Sequence, residues 1–438
     1  MIAKERKKYF DYDWRLLLSY SALSFFIMMG TNNTVFTIFA LILSFFIIIK
    51  NNTEELIGFL FFLLPFAGVF QFAGDFALFH LVSAGTILKI LHKKKGTLPR
   101  KPFLLIILFA IYNLSFSWGT ELFGLIKLCL YFLLMAMVFF DNKNLNLKKI
   151  LIIYSTGIIL ATVYAQFNNL FPNLREVIGR IDESTIRSFT GEQFTRLTGL
   201  YNNPNFFSMD VTMALSCWIC YFLKRNIKKT EYLFIIVLSI LGLLSLSNSF
   251  LLAYMFLLVV AIVSILKYNF KKGVLSIAAI VMLLMVVWNI LSEDTLYILL
   301  VRVERMRYAG DVAEMTTGRA DLWMLYLDYT LSSIRNVFFG AGLGRVFDYA
   351  AHNYFIELLF HLGVVGGGVY LLMLGKAANI YPKFKKRELI NYLPLLIFIF
   401  RGMAINLMFR DNKIFFIILI VVALNTDFNL KGSPKQRE

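Results

Sequence analysis

The chain has 438 residues, of which 59% are hydrophobic and 16% charged, with 45 Phe and a formal net charge of +17; its mean hydropathy is +0.70. A water-soluble chain of this length cannot bury so much apolar surface even in two or three domains, and disorder requires the opposite composition. The solvent that fits is lipid.

The basic start MIAKERKKYFDYDWR runs into an apolar stretch without a small-residue cleavage site, so no cleavable signal peptide is expected. A spanning helix needs about 20 apolar residues. Fourteen candidate spans follow in chain order: 16–30, 35–49, 56–73, 76–91, 103–118, 121–140, 149–168, 206–223, 232–248, 250–266, 273–291, 353–374, 392–409 and 413–427. The pairs 35–49/56–73 and 392–409/413–427 are the weakest, which makes the expectation twelve to fourteen. Continuous apolar runs point to helices, since barrel strands alternate. The predicted class is an all-α, polytopic integral membrane protein.

Charge gives the orientation. With the N-terminus inside, 30 of the 44 Lys and Arg fall in inside segments and 12 outside, while Lys127 and Arg401 lie within spans. The inside then carries +20 and the outside −3, counting all Asp and Glu beyond the two within spans, Asp210 and Glu357. The positive charge is thus a topology signal, and a nucleic-acid partner is not expected. Both termini are predicted to be cytoplasmic. Cys129, Cys217 and Cys220 lie inside apolar segments, which excludes a disulfide framework or a Cys-based zinc site in the loops. Cys217-Trp218-Ile219-Cys220 reads as the lining of a membrane helix.

Two outside loops, 169–205 and 292–352, are far longer than the rest, and loops of such length are usually functional. Their apolar residues fall in helix-compatible runs. Together they hold ten Arg (Arg175, Arg180, Arg187, Arg196, Arg302, Arg305, Arg307, Arg319, Arg335 and Arg345) and no Lys, although the whole chain has 26 Lys to 18 Arg. Arg presents a planar fork suited to two phosphate oxygens and stays charged when partly desolvated. Something anionic is expected outside; the alternative is a bias set by topology and packing.

Within the second loop, Thr316-Thr317-Gly318-Arg319 precedes a helix-like run, which puts a guanidinium at a helix N-terminus, a phosphate-binding arrangement. The alternative is a capped helix whose Arg319 pairs with Asp321 or Glu314. The string Phe339-Gly340-Ala341-Gly342-Leu343-Gly344-Arg345 lacks the strand–turn–helix context of a nucleotide site and reads as a turn. It leads to His352-Asn353 at the mouth of the next span, with Glu357 and His361 on later turns. An imidazole there can accept a proton from a hydroxyl near neutral pH. The first loop ends in Asn203-Pro204-Asn205, a helix cap or a set of amides for sugar hydroxyls.

Arg196, Gly199 and Asn203-Pro204-Asn205, followed by Gly318-Arg319, Trp323, Phe339-Gly340-Ala341-Gly342, His352-Asn353 and Leu362-Gly363-Val364-Val365-Gly366, resemble the O-antigen polymerase/ligase superfamily over about 195–370. The resemblance implies a GT-C-like glycosyltransferase of the bacterial cytoplasmic membrane, working on the outer face without metal or cofactor. Its donor would be an undecaprenyl-pyrophosphate-linked glycan, with a second glycan as acceptor. Arg196 and Arg319 match pyrophosphate-binding positions and His352 the group that activates the acceptor hydroxyl. Asn203, Asn205, Arg345, Asn353 and Glu357 are candidate supporting residues. Arg302, Arg305 and Arg307 match no family role. A flippase and a chain-length regulator would be partners. The Phe-, Ile-, Lys- and Asn-rich composition suits an AT-rich Gram-positive genome, and so a polymerase. The alternatives are an O-antigen-type ligase, a peptidoglycan polymerase of the SEDS type and a lipid-linked oligosaccharide flippase. A flippase would be expected to show internal repeats and more charges within its spans.

Overall fold

Lipid offers no hydrogen-bond partner to a peptide group, so each apolar run must satisfy its own backbone, and here it does so as helix. The structure, a computed structural model, describes residues 14–69, 71–73, 76–116, 121–142, 145–174, 185–187, 193–224, 229–268, 285, 319–344, 346–347, 349–378, 389–406 and 412–426. Among the described residues seven helices precede the first long loop: α1 Trp14–Gly30, α2 Thr34–Lys50, α3 Thr53–Leu63, α4 Leu78–Lys93, α5 Arg100–Phe116, α6 Leu122–Asp141 and α7 Leu147–Gln166. Between the long loops the described helices are α8 Pro204–Lys224, α9 Lys229–Leu244 and α10 Asn248–Tyr268. Then come α11 Arg319–Leu331, α12 Ile334–Phe339, α13 Tyr354–Ala377, α14 Leu393–Gly402 and α15 Asn412–Asn425. Among the described residues five helices are long and apolar enough to cross a membrane: Leu122–Asp141, Leu147–Gln166, Pro204–Lys224, Asn248–Leu266 and Tyr354–Ala377. The chain is a helical protein of membrane-embedded character.

Three expectations from sequence meet a different local structure. The run 56–73 is not one helix: α3 ends at Leu63, a 3-10 turn follows at Leu64–Phe66, and Gln71–Ala73 (β1) pairs with Phe76–Ala77 (β2). Pro65 lies inside that 3-10 turn, where the lack of an N–H limits helix continuation. In 392–409 the helix ends at Gly402. Where helix was expected in loop 169–205, the described residues form an antiparallel pair, Thr185–Arg187 (β3) with Gln193–Thr195 (β4). The candidate span 273–291 and the stretch 292–318 lie outside the described residues, apart from position 285.

Side-chain contacts sort the helix ends onto two faces. On one, Lys89 Nζ donates to the carbonyls of Ile48 and Ile49, each at 2.7 Å, and Lys93 Nζ reaches Asp141 at 2.9 Å. Lys149 meets Glu55 at 3.7 Å and Lys148 pairs with Glu231 on that same face. On the other, Asn173 Nδ2 donates to Thr31 O at 3.1 Å, Glu121 N to Leu343 O at 3.2 Å and Leu197 N to Leu244 O at 3.1 Å. The first face carries Lys89, Lys93, Lys148 and Lys149, and the second carries Asn173, Leu197 and Leu343, described residues of the two long loops.

One backbone crossing sets the shape of the second face. Gly363 interrupts α13 with φ 62°. That break frees carbonyls at Phe360, His361 and Leu362, and a buried carbonyl needs a donor. The turn after α12 supplies them: Ala341 N donates to Phe360 O at 2.8 Å and Gly342 N to His361 O at 3.0 Å. Tyr112 Oη from α5 donates to Leu362 O at 2.8 Å. Gly340, at φ 71°, and Gly363 let the two backbones touch; a Cβ at either would lie 2.5 Å from main-chain atoms of the other segment. The GxG string is thus a docking strip for the broken helix.

Gly363→Ala or Gly340→Ala therefore forces an L side chain into the left-handed region, costing about 1–2 kcal/mol, before the steric clash is added. Each is expected to lower the thermal midpoint of the detergent-purified protein. Gly367→Ala, with no atom within 4 Å of the new methyl, is expected to leave it unchanged. Equal midpoints for Gly363→Ala and Gly367→Ala would contradict the crossing.

Candidate functional site

His352 sits between α12 and α13 in a loop pinned from two sides. From α11, Trp323 Nε1 donates to Ala351 O and Tyr326 Oη to Tyr349 O, both at 2.8 Å. From α13, Glu357 Oε1 accepts the Ala351 N–H at 3.0 Å. Asn353 caps α13, its Oδ1 accepting from Phe355 N at 3.0 Å and Ile356 N at 3.2 Å. Beneath the loop Tyr326, Phe347 and Phe360 pack as a small aromatic cluster, with Tyr326 and Phe360 centroids 4.6 Å apart. These contacts hold His352 at φ 53°, a left-handed conformation unusual for a residue with a side chain. Among the described residues its imidazole has no hydrogen-bond partner.

Arg319, the first residue of α11, reaches the end of another helix: Nη1 donates to Ala404 O at 3.1 Å, just past α14. A cation at a helix C-terminus satisfies an orphan carbonyl and faces the negative end of the dipole. The expected partners Asp321 and Glu314 do not take this role: Asp321 makes no ion pair with it, and Glu314 lies outside the described residues, as do Thr316 to Gly318. The other Arg319 donors meet no acceptor among the described residues. Burial lowers the Arg319 pKa from its ordinary value. Burial, and then the Arg319 charge, lower that of His352 below the ordinary 6.5. His352 and Arg319 are therefore close enough for their charges to interact, and the protonated imidazole is disfavoured.

Arg196 and the Asn-Pro-Asn motif meet at the turn between α9 and α10. Arg196 forks onto the turn between α9 and α10, with Nε donating to Ser245 O at 3.1 Å and Nη2 to Leu246 O at 3.2 Å. Leu246 itself is left-handed, at φ 48°. Asn203 Oδ1 accepts from Asn205 N at 2.8 Å as α8 starts at Pro204. Asn205 Oδ1 accepts from Ser247 Oγ at 2.7 Å, joining that helix start to the Arg196-held turn. At Gly199, φ 56°, a Cβ would meet the Phe207 ring at 2.7 Å. Arg345, Arg302, Arg305 and Arg307 lie outside the described residues.

Two charged residues were not singled out as site residues from sequence. Arg401, counted only as a charge within a span, is 0% exposed and hydrogen-bonds Ser208, Asn205 and Ser249. Its signal was available: a lone Arg in an apolar run is costly and rarely idle. Lys413, the first position of the candidate span 413–427, is 3% exposed, with Nζ 6.0 Å above the Tyr370 ring and its charge within reach of Glu357. Its run, Asn412–Asn425, offered no sequence cue that the first turn is buried.

No family model matches the chain, and no curated protein matches it. The functional reading rests on the site itself and on the residues quoted above.

Carbon-13 histidine NMR tests the coupling of His352 to Arg319, with the resonance assigned by its loss in His352→Gln. His352 is expected to titrate below 6.5 and to move upward in Arg319→Gln, because a repelling positive charge has gone. A midpoint unmoved by that substitution would separate the two residues.

Proposed function

We propose that the chain is a membrane-embedded, GT-C-like glycosyltransferase that polymerises undecaprenyl-pyrophosphate-linked oligosaccharide units into a surface polysaccharide. The observation that carries this reading is the pairing, in one half-buried site, of Arg319, whose remaining guanidinium donors meet no acceptor among the described residues, with a loop-pinned His352 whose protonated form is disfavoured. In the proposed step, the glycosidic carbon–oxygen bond to pyrophosphate breaks as the acceptor hydroxyl oxygen bonds to the anomeric carbon. His352 takes the hydroxyl proton, and Arg319 stabilises the charge that develops on the departing pyrophosphate. The products are a lengthened glycan and polyprenyl pyrophosphate, and a single displacement inverts the anomeric centre. Pyrophosphate leaves readily, so no covalent intermediate is required.

The supporting residues take roles consistent with their contacts. Asn353 and Glu357 hold the His352 loop, and Asn203 and Asn205 order the start of α8. Arg196 secures the turn beside Asn205. The motif resemblance supports the same assignment of Arg196, Arg319 and His352. The +20/−3 charge partition supports placement in the bacterial cytoplasmic membrane with both termini cytoplasmic and the Arg-only loops outside. The polyprenyl chain is accommodated by the bilayer and apolar helix surfaces, and a flippase and a chain-length regulator are the proposed partners.

Arg319→Lys is the sharpest test of the pyrophosphate role, because Lys keeps the charge and loses the planar fork. Turnover of purified lipid-linked repeat units is expected to fall roughly 10–150-fold, nearly as far as in Arg319→Ala. In cells, His352→Ala is expected to leave single repeat units on the carrier while the protein still inserts. Near-full turnover by Arg319→Lys would reduce Arg319 to a helix-capping residue, and normal polymer from His352→Ala would remove the base.

A further inference from the structure

Arg401 is the largest electrostatic anomaly among the described residues. It is 0% exposed, near the end of an apolar helix, and takes part in none of the ion pairs. Its guanidinium is held only by neutral oxygens: Nη2 donates to Ser208 Oγ at 2.6 Å and Asn205 O at 3.1 Å, and Nη1 donates to Ser249 Oγ. Nε is buried with no acceptor.

The surroundings add positive charge. Arg319 is anchored at Ala404 O, three residues along the chain, and the two guanidinium charges repel each other. Ser208 and Ser249 belong to the opening turns of α8 and α10, whose N-terminal dipole ends also favour an anion. Ser247 ties these two openings together through Asn205. A buried guanidinium ordinarily acquires a carboxylate or leaves the apolar interior, because desolvating an unpaired charge is expensive. Here two guanidinium groups and two helix starts converge, and neither guanidinium makes an ion pair among the described residues.

We propose that Arg401 supplies a buried positive field for an anion seated on the open donors of Arg319, and that the anion is a diphosphate. Arg401 acts through charge across a low-dielectric interior, where screening is weak, and is a positioning residue rather than a catalytic one. The same arrangement gives Arg196 a positioning part, since its grip on Ser245 O and Leu246 O orients the turn carrying Ser247 and Ser249. Identification of the diphosphate as that of a lipid-linked glycan rests on the proposed function; the anion site does not.

The test uses full-length protein in nanodiscs of zwitterionic lipid, with inorganic pyrophosphate and farnesyl pyrophosphate as probes and the shift in thermal midpoint as readout. Wild-type protein is expected to give a saturable upward shift with at least one probe. Arg401→Met should weaken that binding roughly tenfold or more, whereas Arg401→Lys, which keeps the charge, should stay within a few-fold of wild type. A residue that merely braces Ser208, Asn205 and Ser249 would make Lys and Met fail alike, and that result overturns the proposal. So does wild-type protein that binds neither probe. Should Arg401→Met not fold, Arg401→Gln provides the neutral comparison with Lys. Should neither neutral variant fold, Arg401→Lys decides: a Lys variant that folds and still binds within a few-fold of wild type supports the field, and one that folds and loses binding overturns it. Charge-dependent binding by a protein that forms no polymer would keep the site and remove the glycosyltransferase reading. Undiminished polymer formation by Arg401→Met would do the reverse.

Discussion

A helix that breaks inside a membrane-embedded bundle must find donors for the carbonyls it frees, and the break at Gly363 organises the functional end of this molecule. The freed oxygens of Phe360 and His361 take the N–H groups of Ala341 and Gly342, while Leu362 O takes the Tyr112 hydroxyl. The turn after α12 is thereby fixed against α13, and the His352 loop must begin and end on that fixed frame. Trp323, Tyr326 and Glu357 then complete its geometry, so the left-handed backbone of His352 follows from contacts made several residues away.

The second constraint is electrostatic. Arg319 links the start of α11 to the end of α14, and Arg401 links α14 to the first turns of α8 and α10. Segments far apart in sequence therefore meet through guanidinium groups bonded to neutral oxygens. Such groups hold helices together, and neither makes an ion pair among the described residues. Burial first, and then the Arg319 charge, disfavour the protonated form of the neighbouring imidazole.

Much of this was legible in the residues. Continuous apolar runs such as 122–141 and 354–377 prescribe helices in lipid, and the Lys and Arg residues sort themselves by position along the chain. His352 and Arg319 stood out because histidine is scarce and because Arg replaces Lys throughout the long loops. The two short strand pairs and the early end of α3 were not legible, since they depend on local turns that apolar periodicity does not encode. Arg401 was visible as a charge in an apolar run, but its significance needed Ser208, Asn205 and Ser249, brought from other helices. Gly340 and Gly363 read as a flexible turn and a family-like motif; that they are two halves of one backbone crossing depends on tertiary contact.

The central claim is that new glycosidic bonds form at this site at the expense of a lipid pyrophosphate. The most direct measurement incubates the purified protein with a lipid-linked repeat unit of known anomeric configuration, following glycan length, free polyprenyl pyrophosphate and the stereochemistry of each new linkage by NMR. The account predicts longer glycan, one polyprenyl pyrophosphate released per bond formed, and inversion at the anomeric carbon. Passage of the intact lipid-linked unit across the bilayer with no new linkage would contradict it and mark the protein as a transporter.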